Sequence, residues 1–326
     1  MSLLVSGLLF STYGSAQAAN NNLKHGNYLR PAEVPYPAYN KPNAARIELG
    51  KKLFFDTRLS GSNNMSCASC HNPAKGWSDG LPTAIGNGGK VLGRASPTVL
   101  NTAYNAVQMW DGRARTLEDQ ATGPIVSKDE MNQDMAKLIK ELKAVKQYVK
   151  MFEKAYPGEG ISKPTIAKAI ASYERTIVSQ TSPFDKWVKG NKKAISASAQ
   201  RGFKLFEGKA NCIACHMDWN FADDGFHNIG LAKQDDSGRF AHIPVKVLRG
   251  AFKTPTLRNI TLTAPYFHDG SASTLMEVMK HYNKGGVDLG KGLDPNMKPL
   301  HLSKKEMQDV VEFMKTLTDI KPVVVK

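Results

Sequence analysis

All four cysteines of this 326-residue chain fall in two copies of one spacing, Cys67-Ala-Ser-Cys70-His71 and Cys212-Ile-Ala-Cys215-His216. Two thiols three residues apart can reach the two vinyl groups of one porphyrin, and the histidine that follows can carry its imidazole beneath the iron. A four-cysteine zinc site would leave both histidines unexplained, and two disulfides or a redox dithiol would not need the histidine twice. The chain is therefore expected to carry two covalently bound haem c groups, with His71 and His216 as iron ligands. Such attachment also points to a protein exported from the cytoplasm.

The chain repeats itself ahead of these motifs. Gly50-Lys-Lys-Leu-Phe54 precedes the first and Gly202-Phe-Lys-Leu-Phe206 the second, each closing an amphipathic stretch. Residues 162–178 have helical periodicity, Thr274 with Glu277 and Ser303 with Glu306 read as capping boxes, and an apolar stripe follows the second. Strand signals are poor. The expected fold is mainly α, two tandem cytochrome c-like domains joined near residues 183–196, with long ordered loops at the Gly- and Pro-rich stretches 76–97, 218–255 and 285–299.

Residues 3–10 are mostly apolar and Ala16-Gln-Ala18 has the small-x-small form of a signal-peptidase site, so residues 1–18 are read as a leader cleaved after Ala18. The run is too short for a membrane span. A mature soluble, periplasmic protein is expected, although no Lys or Arg precedes Lys24. The 44 Lys and Arg against 29 Asp and Glu give a formal charge of +15. They are scattered, with no basic arm, zinc finger or aromatic-interleaved cluster, which argues against nucleic acid. A basic surface can instead steer an acidic partner such as a small donor protein.

Longer motifs carry a resemblance. Arg94-Ala-Ser-Pro-Thr-Val-Leu-Asn101, Gln108-Met-Trp110-Asp-Gly-Arg113, Glu118-Asp-Gln120-Ala, Gly-Pro124-Ile and Glu130-Met131 resemble the bacterial dihaem cytochrome c peroxidases. So do Pro255-Thr-Leu-Arg-Asn259 and Thr263-Ala-Pro265-Tyr-Phe-His268-Asp-Gly270. The resemblance covers almost everything after about Asn43. After the leader (1–18), the expected division is an N-terminal arm (19–42), a peroxidatic haem domain (43–190) and an electron-transfer haem domain (191–326) whose last helix packs back on the first. The resemblance further implies that hydrogen peroxide reacts at the His71 haem and that electrons enter through the His216 haem. Trp110 would lie between the two, and Glu130 with Gln120 would form the distal pair over the first haem, with Pro124 near the same pocket. A carboxylate there can move a proton from the inner to the outer peroxide oxygen so that water leaves.

Two departures from the peroxidase pattern shape the expectation. The loop that carries a capping histidine in many of these enzymes reads Ile85-Gly-Asn87-Gly-Gly89, and Asn is a poor iron ligand, so the first haem is expected to have an open position without reductive activation. At the second haem the position of the usual axial methionine is Tyr282, which resembles the MauG-type branch, with His281, Met279 and Met276 as neighbouring alternatives. A tyrosinate would lower the potential. A calcium between the domains would match backbone donors at Thr263 and Pro265, but Ala95 stands where an amide ligand is expected. The reading is a periplasmic dihaem peroxidase of MauG-like type, drawing on a cytochrome or cupredoxin donor. Oxidation of residues in a partner protein, or plain electron transfer with no catalysis, are the alternatives. Whether the protein forms a homodimer stays open.

Overall fold

The computed structural model describes residues 25–232, 236–290 and 292–320. The leader and the start of the arm lie outside them. The described chain is mainly helical: α1 (Ala44–Phe54), α2 (Cys67–Cys70), α3 (Leu117–Ala121), α4 (Gly123–Val126), α5 (Met135–Ala144), α6 (Lys146–Ala155), α7 (Lys163–Glu174), α8 (Pro183–Val188), α9 (Ala197–Glu207), α10 (Leu275–Lys284) and α11 (Lys304–Lys315). Two-residue strands β1 (Phe226–His227) and β2 (Phe252–Lys253) pair antiparallel. Long loops carry the rest.

Helix starts follow local chemistry. Asn43 accepts from the Arg46 amide, Ser196 from that of Ala199, and Ser162, Thr274 and Ser303 form reciprocal boxes with Thr165, Glu277 and Glu306. Each such cap contributes about 1 kcal/mol. Helix α7 ends at Glu174, short of residue 178, because the chain beyond it turns to serve a distant partner: the Ile177 carbonyl accepts from the Asn101 amide, and the Ser179 amide donates to the Asn101 side chain.

Two cores form. The first gathers Leu49, Leu53 and Phe54 of α1 with Ile166, Ile170 and Tyr173 of α7. The second gathers Phe203 and Phe206 of α9 with Val310, Phe313 and Met314 of α11. Contrary to expectation, α11 does not pack back on the first unit, since its apolar stripe is spent on α9. The chain changes core between Ile177 and Phe184, so α8 belongs with the second. The arm ties both units: Tyr28 is buried in the second core and donates to Glu207, whereas buried Asn40 donates to Glu118 and to the Lys168 carbonyl of the first.

The repeated glycines mark the helix crossings. A Cβ on Gly50 would stand 1.9 Å from the Ala169 carbonyl oxygen of α7, and one on Gly202 1.9 Å from the Asp309 oxygen of α11. Only a missing side chain permits backbones to approach so closely.

The internal repeat reaches further than those helices. One constant sequence offset pairs Asn101 with Asn259, Met109 with Phe267, Gly112 with Gly270 and the helix caps Thr116 with Thr274. The backbones agree: φ is 63° and 59° at the asparagines, 73° and 70° at Met109 and Phe267, and 65° and 64° at the glycines. These segments of the two units thus share their backbone turns. The same offset sets Trp110 against His268, and Pro124 against Tyr282.

Candidate functional site

Each Cys-x-x-Cys-His segment is poised as a haem holder requires. All four thiols are free and partly buried. The His71 Nδ1 lies 3.3 Å from the Trp77 carbonyl and the His216 Nδ1 2.7 Å from the Phe221 carbonyl. A carbonyl can only accept, so each Nδ1 carries the proton and each Nε2 keeps its lone pair for a metal. Burial pushes both imidazoles below the usual histidine range and keeps them neutral. The buried indole N–H of Trp77, beside the first motif, has no partner.

The second motif opens on a mainly apolar cleft, partly open to solvent, lined by Cys212, Cys215, His216, Met279 and Tyr282. Free thiols, neutral imidazoles and an apolar lining fit a haem c. Two neighbours on α10 differ in aim. Tyr282 lines the cleft, and burial raises its phenol well above the ordinary range. His281 is not among the lining residues, and its Nε2 donates to the Ile229 carbonyl at 2.8 Å. Met279 lines the cleft; Met276 does not.

On the first unit, Gln120 sits on α3 and Glu130 on the loop after α4. Neither side chain has a hydrogen bond among the described residues, and both are half-buried. The Glu130 loop packs against the Asn87 turn: the Asn87 amide donates to the Asp129 carbonyl at 3.1 Å, and a Cβ on Gly86 would lie 3.2 Å from the Glu130 Cα. The Cys70 thiol is held up by burial first, then Asp79, with Glu130 also contributing, which places this carboxylate near the first attachment site. Pro124, at the position equivalent to Tyr282, offers no donor atom.

Between the units, the Trp110 indole donates to the Ala95 carbonyl at 2.9 Å, and the Trp110 carbonyl accepts from the Lys253 amide at 2.8 Å. Its ring centre is 6.4 Å from that of His268, which stacks at 3.5 Å on Phe252. Arg94 pins the junction, bonding Asp111 at 2.6 Å and Asp236 at 2.6 Å. Thr263 and Pro265 line the same cleft. Ala95 presents only a methyl group and a carbonyl already taken by Trp110, so the donor set is poor in hard oxygens.

Sequence reasoning missed one cluster. His227 lies between Asp223 (Nε2 to Oδ2, 2.9 Å) and Asp294 (Nδ1 to Oδ2, 2.6 Å), tying the loop around 285–299 to the loop after the second haem motif. Asp223 foremost holds its imidazole protonated well above the usual range. The acid four residues before the histidine was the one available signal; Asp294 is too distant to be read.

Comparison with known proteins agrees with this architecture. The family profile "Di-haem cytochrome c peroxidase" matches residues 44–193 and "Cytochrome c" matches 199–318. The methylamine utilization protein MauG of Methylorubrum extorquens is 46% identical over 315 residues, 96% of this chain and 89% of that protein. The chain belongs to the dihaem cytochrome c peroxidase and MauG family. Another member, cytochrome c551 peroxidase of Pseudomonas aeruginosa, is 39% identical over 84% of this chain and 79% of its own length. A solved MauG-like protein associated with microbial copper homeostasis superposes with a TM-score of 0.84 at 30% identity, covering 91% of this chain and 95% of that one. The diheme peroxidase BthA from Burkholderia thailandensis, at 23% identity and a TM-score of 0.77, shares the fold. As a member of this oxidoreductase family, the chain carries two covalently bound haem c groups. No helix among the described residues is long and apolar enough to cross a membrane.

Proposed function

We propose that this family member is a periplasmic peroxidase of MauG-like type, with hydrogen peroxide reduced at the first haem and electrons exchanged through the second. The observation that carries the reading is the chemistry of the two equivalent positions: Tyr282 lines the second cleft, whereas Pro124 at the matching point of the first unit, and Asn87 on the neighbouring turn, supply no strong iron ligand. The second haem would then have a further protein ligand from Tyr282 and the first would have none from these positions.

In this reading Cys67 and Cys70 would attach one haem in the first unit and Cys212 and Cys215 the other in the second, and His71 and His216 would present Nε2 to the irons. The first haem, when bound, supplies the metal at which a peroxide O–O bond is reduced. Glu130 takes the proton from the inner peroxide oxygen and returns it to the outer one, so that water leaves in place of hydroxide. Gln120, also free of protein partners, orients the peroxide. Trp110, locked at its indole and its carbonyl, stands between the units as the path for electrons. Tyr282 rather than His281 would be the second iron's other ligand, because Tyr282 lines the cleft while His281 stays outside the lining with its Nε2 bonded to the Ile229 carbonyl. Any calcium would rest on the Thr263 and Pro265 carbonyls and water.

The reductant is a small acidic cytochrome or cupredoxin. A second reading, oxidation of residues in a partner protein, is favoured by Tyr282 and by the identity to two MauG proteins, 46% and 44%. Electron paramagnetic resonance on the oxidised holoprotein tests the common core: one high-spin and one low-spin haem are expected, with peroxide reacting without pre-reduction. Two low-spin signals would leave only electron transfer.

A further inference from the structure

The junction between the units holds a buried cation, Lys253, that makes no ion pair among the described residues. Lys253 is 9% exposed, sits on β2 and lines the second cleft. Its backbone amide is the one that bonds Trp110, so its place on the strand is fixed. No hydrogen bond or ion pair reaches its ammonium among the described residues. Asp224 and Asp223 are near enough to be felt but not to pair. Asp223 already accepts from His227 and from the Gly225 amide. Other cations are treated differently: half-buried Arg94 has Asp111 and Asp236, and buried Arg258 has Asp185 at 2.8 Å.

An ammonium in an apolar cleft either gives up its proton, the direction in which burial drives Lys253, or takes a counter-ion from outside the chain. A haem c carries two carboxylates, and this cleft is where the second haem fits. We propose that Lys253 is the protein's counter-charge for a carboxylate of the second haem and that it holds this haem's reduction potential up. The inference rests on the placement of that haem at Cys212, Cys215 and His216, not on which substrate is oxidised. A fixed positive charge favours the reduced form, which carries one more electron.

The test is a spectroelectrochemical titration of holoprotein without peroxide, so that it is independent of the peroxidase reading. Lys253→Gln should lower the second haem's potential by a factor of ten or more in the reduction equilibrium, 59 mV for one electron, and leave the first unchanged. Lys253→Arg should stay within threefold of the wild type. A fully loaded Lys253→Gln protein with an unchanged second potential overturns the proposal. So does a Lys253→Gln/Asp224→Asn protein that regains wild-type melting with no shift in potential, because Lys253 would then serve only Asp224. If Lys253→Gln fails to load haem, resonance Raman of Lys253→Arg decides: shifted carboxylate-bending bands of the second haem support the pairing, and unshifted bands overturn it. Peptide mapping that finds no haem at Cys212 and Cys215 removes the placement and the proposal together.

Discussion

Single side chains decide the chemistry. The half-buried Glu130 side chain makes no hydrogen bond among the described residues, so its oxygens are not committed to a protein partner there. General acid–base catalysis contributes about 10²–10⁴-fold, so Glu130→Gln is expected to slow peroxide turnover by at least about 10²-fold while both haem spectra stay as in the wild type. Stopped-flow kinetics measures this, and a variant with wild-type rates would take Glu130 out of the mechanism. Tyr282→Met exchanges an anionic oxygen for a neutral thioether that favours the reduced iron. The second haem's potential should rise by about 59 mV or more in a redox titration. No change would mean that Tyr282 does not bind the iron.

At the scale of elements, two helix crossings hold each unit around its haem motif. Gly50 and Gly202 are the points where α1 meets α7 and α9 meets α11, each with a partner carbonyl 1.9 Å from where a Cβ would lie. The neighbour is backbone, which cannot swing aside as a long side chain would. Gly202→Ala must therefore push α11 away from α9, at a cost of about 1–3 kcal/mol or more, even though Ala is the better helix former by about 1 kcal/mol. Chemical denaturation of the holoprotein should show that loss. A variant as stable as the wild type would mean that the crossing can spread at little cost. The repeat of Gly, Leu and Phe at these helices is thus a packing rule, and the Gly-Lys-Lys-Leu-Phe54 run serves the core directly through Leu53 and Phe54.

Across the whole molecule, the formal charge of +15 is spread over both units and only partly offset by haem carboxylates. An acidic donor is then drawn in over tens of ångströms at low salt. As the Debye length shrinks from about 30 Å at 0.01 M to about 8 Å at 0.15 M, the association rate with such a donor should fall by roughly tenfold or more. Turnover at saturating donor should change little. A salt-independent rate would point to an apolar or uncharged partner. The arm strengthens the joint that this traffic crosses, because Tyr28 and Asn40 anchor it in different units.

Much of this protein was legible in its sequence, and what was legible is local. Haem attachment depends on atoms three to four residues apart, so the two Cys-x-x-Cys-His segments determine the cofactor and the number of units, and helix caps and apolar stripes mark most helices within a few residues. The rest is made of contacts between distant residues. Tyr282 and His281 are adjacent in sequence, and only the packing of α10 turns one into the cleft and the other onto Ile229. Helix α11 could not be assigned to a core from its stripe alone, since an apolar face does not say which surface it will meet. His227 with Asp294, and a buried Lys253 with no ion pair among the described residues, exist only once loops far apart in the chain are folded together, because burial and charge balance are properties of neighbours in space rather than of residue type.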